Sequence, residues 1–137
     1  MRQMREEKGA VGKSLWLLGI FLLDRLTKFF FLANGRTVVN QGISWGMASS
    51  LSPALVTLLS LLILAVSGLF LFVYPQKIGL WLISLGGFSN LVDRFWFGGV
   101  VDFISLPWLP TFNLADVTIC LGGFFLLVDF LKSPTIS

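Results

Sequence analysis

The chain has 137 residues, of which 55% are hydrophobic and only 12% charged, with ten Lys+Arg, seven Asp+Glu and no histidine. A soluble domain carries about 25% charged residues, so the composition excludes a water-soluble globule and indicates an integral membrane protein. The missing imidazole removes Ser-His and Cys-His hydrolases and the commonest metal ligand, and no basic patch interleaved with aromatics points to nucleic acid.

The first apolar stretch covers residues 14–33, about the 20 needed to cross a bilayer as a helix. It contains Asp24, Arg25 and Lys28 and is followed by no small-residue cleavage site, so it reads as a retained span rather than a signal peptide. Asp24 and Lys28 stand at i and i+4, where a structural ion pair between helices is one reading. Residues 34–52, "NGRTVVNQGISWGMASSLS", are rich in Gly, Ser and Asn, with a β-like run at 37–39. Asn40, ahead of Gly42, suits a turn.

The second and third spans cover residues 53–73 and 78–97, joined by "YPQK". Asn90, Asp93 and Arg94 close the outer end of the third, where Asp93 and a snorkelling Arg94 read as an interfacial pair. Residues 98–111 are apolar yet broken by Gly and Pro, and they carry Asp102 with no cation within seven positions on either side. Irregular backbone at that depth needs protein cover or a wet cavity. The fourth span, 114–131, opens on Asn113 and Asp116, the Asn-x-x-Asp spacing of a capping box. Its Cys120, the single cysteine, makes neither an intrachain disulfide nor a cysteine metal cluster.

Arg2, Arg5, Lys8, Lys13, Lys77 and Lys132 fall on one side of this map and Arg36 on the other. The bias places both termini in the cytoplasm. Trp45, Trp96 and Trp108 then lie at the outer interface, and Trp16 and Trp81 near the inner one. The expected architecture is one domain, residues 1–137: an all-α membrane protein of four transmembrane helices, with a small extracytoplasmic β-like region between the first two.

Ionisable side chains at a bilayer centre cost about 2.5–3.5 kcal/mol on insertion scales, so they usually face the bundle interior and mark function. Here they gather on the outer side. A capping box accounts for Asp116 but leaves Asp102 without a partner, and a fold-back of residues 103–115 would bring the two carboxylates together. Such a pair shares one proton and performs general acid–base chemistry. A small proton-coupled transporter built on Asp24 and Lys28 is an alternative that leaves Asp102, Asn113 and Asp116 unused. A Ser-Lys peptidase with Lys28 activating Ser44 is another.

Five segments in order carry a resemblance: "DRLTK" (24–28), "NQGISWG" (40–46), "GGFSNLVDR" (86–94), "VVDF" (100–103) and "FNLAD" (112–116). Together they resemble lipoprotein signal peptidase, the signal peptidase II family of bacterial intramembrane aspartyl proteases. The resemblance implies a catalytic pair, Asp102 and Asp116. Asn40, Gly42, Asn90, Arg94, Asn113 and Ala115 would line or support the site, with Asp93 beside them, and Asp24 and Lys28 would hold the first helix against it. It further implies a prolipoprotein substrate cut before a diacylglyceryl-modified Cys, no metal or organic cofactor, membrane lipid as surroundings, a monomer, and inhibition by cyclic peptides of the globomycin type. The location implied is the bacterial inner membrane, multi-pass, with the site near the extracytoplasmic face. Ser89 stands where the family usually has Gly, and both outer connections are short, so the family's substrate-cradling sheet and periplasmic helix are expected in trimmed form.

Overall fold

The computed structural model describes residues 1–42 and 51–133; the expected motif positions 43–46, with Ser44 and Trp45, lie outside them. Four helices occupy Arg2–Ala33 (α1), Pro53–Val73 (α2), Ile78–Phe97 (α3) and Leu114–Lys132 (α4), and two short strands occupy Val38–Asn40 (β1) and Val100–Asp102 (β2). The three later helices match the expected spans closely. α1 begins twelve residues ahead of its expected start at residue 14, because "RQMREEKGAVGK" is built mainly of good helix formers too polar to be counted in an apolar span.

Local chemistry sets the ends. Ser52 caps α2 by accepting from the Leu55 N–H, with Pro53 in the first turn, where a missing N–H costs nothing. α3 ends on Gly98, whose φ of 73° is left-handed backbone open to glycine at little cost. α4 opens with the full capping box, the Asn113 side chain on the Asp116 N–H and the Asp116 carboxylate on the Asn113 N–H.

Of the four helices, α2 and α4 are long and apolar enough to cross a membrane. α1 and α3 carry more charge, Asp24, Arg25 and Lys28 on one and Asp93 and Arg94 on the other. α3 is the central helix, contacting α1, α2 and α4. It approaches α4 closely at Gly79 and at Gly86, where an added Cβ would lie 2.5 Å from the Gly122 and the Ala115 carbonyl oxygen respectively. Small residues at such crossings let helix backbones meet without a side chain between them.

The sheet differs from the expected β-like region in one respect. Its partner strand comes from the second connection: β1 and β2 pair antiparallel, with Val38 opposite Asp102 and Asn40 opposite Val100. β2 reads as an apolar run because both its valines are buried, and Phe103 after it stacks on Phe31 of α1 at 4.6 Å between centroids. The chain then folds back through an Ile104–Phe112 bridge. At the apex of that turn Trp108 takes a φ of 75° with its indole fully exposed.

Candidate active site

Among the described residues eight polar or charged side chains are buried, and six of them belong to one connected system: Asp24, Lys28, Ser89, Asp93, Asp102 and Asn113. Buried polar groups need partners, and here each has them.

Asn113 is the hub. Fully buried at the head of α4, it donates through Nδ2 to Asp102 Oδ1 at 2.8 Å, to Asn90 Oδ1 at 3.1 Å and to the Val101 carbonyl at 3.3 Å. Its Oδ1 accepts from the Asp116 N–H at 2.9 Å, and its own N–H donates to Asp116 Oδ2 at 3.2 Å. One residue thus touches both carboxylates. Asp116 Oδ1 accepts a further bond from Asn90 Nδ2 at 2.8 Å, and Asp102 Oδ2 a longer one from Asn40 Nδ2 at 3.3 Å. Burial pushes the Asp102 carboxyl up to about 6; the neighbouring Asp116 charge adds to the rise, and the amide donors of Asn40 and Asn113 oppose it.

Both aspartates open on one cavity of about 670 Å³, together with Asn40, Gly42, Asn90 and Arg94. Arg94 donates to the Gly42 carbonyl at 3.1 Å and so holds the end of β1 over the cavity. This corrects the expected Asp93–Arg94 pair. Consecutive helix positions point about 100° apart, and Asp93 faces α1, where it meets Lys28 at 2.7 Å and Arg25. It also accepts from the Val101 N–H at 3.1 Å, anchoring β2.

Behind the cavity, Asp24 and Lys28 form the expected i, i+4 pair at 3.0 Å. Asp24 does more. Its Oδ1 accepts from the Ala115 N–H at 2.8 Å, giving α4 a second cap from α1, and its Oδ2 accepts from the Ser89 hydroxyl. Ser89, the departure noted in the sequence, therefore supplies a donor to a buried carboxylate. Ala115 is buried against α3 and reaches no cavity surface. Among the described residues, no His, Cys, Asp and Glu group has the spacing to hold a metal ion.

The sequence reading passed over two contributors. Arg25 was noted only as a charge inside a span, yet it supplies the second cation of a cluster of two acids and two bases; its place beside Asp24 was the available signal. The wall formed by α2, including Val56, Ser60, Leu64 and Ser67, carries no signal in a helix that is apolar on every side apart from scattered small hydroxyl residues. α2 and α4 flank α3, and below the aspartates the cavity continues between them over Ile83 and Gly87, with a Ser84–Ser67 hydrogen bond of 2.9 Å at depth.

The transporter alternative is not supported. Asp24 and Lys28 do not line the cavity and are engaged with Ser89, Ala115, Asn90 and Asp93. The same pairing counts against Lys28 as a free base for a serine, and Ser44 lies outside the described residues.

Comparison with known proteins identifies the family. A family model described as signal peptidase (SPase) II matches residues 16–132. Proteins named lipoprotein signal peptidase are similar along most of the chain. The one from Nitrobacter hamburgensis is 37% identical over 90% of this chain and 85% of its own, and that from Syntrophomonas wolfei is 32% identical over 80% and 85%. A bacterial membrane enzyme solved at 2.3 Å by the in meso method shares the fold, with a TM-score of 0.75, 21% identity and 90% coverage of both chains.

Proposed function

The chain belongs to the signal peptidase II family, an aspartic-type peptidase acting on prolipoproteins, and from that premise we propose that Asp102 and Asp116 are its catalytic pair. The observation that carries the assignment is the bridge through Asn113: two carboxylates, one from the end of β2 and one from a helix head, share a hydrogen-bonding residue at the mouth of an apolar groove.

The resting charge sits on Asp116. It caps its own helix, where an anion is favoured, and both its oxygens accept well-formed bonds. The shared proton sits on Asp102 Oδ2, the oxygen whose only donor among the described residues is 3.3 Å away. Asp116 takes a proton from water as that water adds to the scissile carbonyl carbon, and Asp102 gives its proton to the carbonyl oxygen. In the tetrahedral diol that results, the proton gained by Asp116 passes to the amide nitrogen. The C–N bond breaks, and the proton returned from a diol hydroxyl to Asp102 restores the starting state with one carboxylic acid and one amine released.

The substrate is a prolipoprotein signal helix carrying diacylglyceryl-Cys, cut on the N-terminal side of that Cys. The helix lies in the groove between α2 and α4, with α3 as floor. From Asn90 to Ile83 the floor runs about 10 Å at 1.5 Å per residue, close to two turns of substrate helix. All four helices span the bacterial cytoplasmic membrane, with both chain ends in the cytoplasm and the dyad near the extracytoplasmic face, as the Lys and Arg bias supports. Burial of Asp24, Lys28 and Asp93 within protein keeps the charges of α1 and α3 out of lipid. The enzyme acts as a monomer, needs no cofactor, and admits globomycin-type cyclic peptides to the same groove. Residues 1–137 form one functional unit.

The test is gel-shift cleavage of a diacylglyceryl-modified precursor by reconstituted enzyme. Asp102→Asn and Asp116→Asn, each shown to be folded, are expected to lose about 10²–10⁴-fold in rate, the scale of general acid–base catalysis. Near-wild-type cleavage by either variant overturns the assignment.

A further inference from the structure

We propose that Lys28 is a positioning residue for the reaction, its ammonium setting which way round the Asn90 and Asn113 amides stand and thereby presenting one N–H donor to each aspartate. The inference rests on the Asp102/Asp116 reading above.

An ammonium donates and never accepts. Lys28 Nζ lies 3.0 Å from Asn90 Oδ1, so Asn90 must turn its oxygen toward α1. Its NH₂ is thereby aimed at α4, where Nδ2 donates to Asp116 Oδ1 at 2.8 Å. The constraint then passes on. Asn90 Oδ1 is an acceptor, so Asn113 must face it with Nδ2, at 3.1 Å, and the same Nδ2 reaches Asp102 Oδ1 at 2.8 Å. The oxygen of Asn113 is left for the Asp116 N–H at 2.9 Å. One donor outside the cavity thus orders two amides, and through them one oxygen of each carboxylate.

With the ammonium gone, Asn90 Oδ1 loses its charged donor, and the amide is left to the Asp116 carboxylate and the Asn113 amide that it serves to position. Lys28 itself has little freedom. It is 3% exposed and held by Asp24 at 3.0 Å and Asp93 at 2.7 Å, and it does not line the cavity. Its hydrogen-bonded route to the chemistry runs through Asn90, beside a through-space charge that opposes the rise at Asp102.

A residue that merely clasped α1 to α3 would act independently of the Asn90 amide, and a double-mutant cycle separates the two roles. Lys28→Met and Asn90→Ala are made singly and together, and kcat and KM are measured on the diacylglyceryl-modified precursor. The expected result is a fall in kcat of about 100-fold for Lys28→Met, comparable to losing a preorganised donor, with KM within about threefold. The double variant should be no slower than Asn90→Ala alone. Multiplicative effects, or a loss confined to KM, overturn the proposal. If Lys28→Met does not fold, the same cycle is run in an Asp24→Asn background, where Arg25 and Asp93 remain as a neutral pair. Asp102→Asn and Asp116→Asn run alongside: activity there overturns the dyad whatever the cycle shows. Inactive dyad variants with a multiplicative cycle overturn only the role of Lys28.

Discussion

Asn40 and Asp102 meet at the residue scale, and their contact sets a pH dependence. The Asp102 carboxyl is pushed up to about 6 from an ordinary 3.8, with the Asn40 amide opposing the rise. With protonated Asp102 as the proposed proton donor, cleavage is expected to decline as pH rises through about 6. Asn40→Ala removes an opposing hydrogen bond, so its pH–rate profile should move toward higher pH while its maximum rate falls; a limb displaced to lower pH would contradict the mechanism. Stability follows the same sign. A carboxyl whose pKa is raised on folding contributes its full stabilisation below the unfolded value, and that contribution is lost as pH rises through the folded one. The Tm of the wild type should therefore fall relative to that of Asp102→Asn between about pH 4 and 6, read by thermal unfolding in detergent across that window.

The element scale belongs to α3 and α4. Their backbones meet at Gly86 and Ala115, one residue before Asp116. Gly86→Val would drive a branched side chain into the Ala115 carbonyl, and overpacking of this kind costs about 1–3 kcal/mol. The larger consequence is displacement of the α4 head and of the carboxylate on it. Gly86→Val is expected to lower Tm and reduce kcat more than KM rises, as steady-state cleavage would reveal. How much of this was legible depended on the range of each interaction. The spans at 53–73 and 78–97 and the capping box at Asn113 were readable because hydrophobic run length and Asn-x-x-Asp spacing are local signals. The pairing of Val38 with Asp102 was not, since a short strand names no partner and β2 looked like an apolar loop. The assignment of Asp93 to Arg94 failed for a related reason: adjacency in sequence is poor evidence of contact on a helix.

For the whole molecule, the groove is the feature to perturb. Gly87 lies on its floor, and a Cβ there would meet nothing closer than a Leu64 methyl at 3.9 Å. Gly87→Leu should narrow the substrate path without disturbing the packed core, raising KM for the precursor by roughly tenfold, about 1.4 kcal/mol, with Tm unchanged. Unchanged KM would place the signal helix elsewhere. What the sequence determined by itself was the membrane character, the positions of α2, α3 and α4 and the aspartic-peptidase family, because composition, run length and the motif residues are properties of the chain in order. The tertiary structure alone decided that Asn113 joins the two aspartates, that Asp93 faces α1, and that α2 walls a groove. Those facts depend on which helix faces meet, and where apolar surface covers nearly every face, periodicity cannot say which side turns inward.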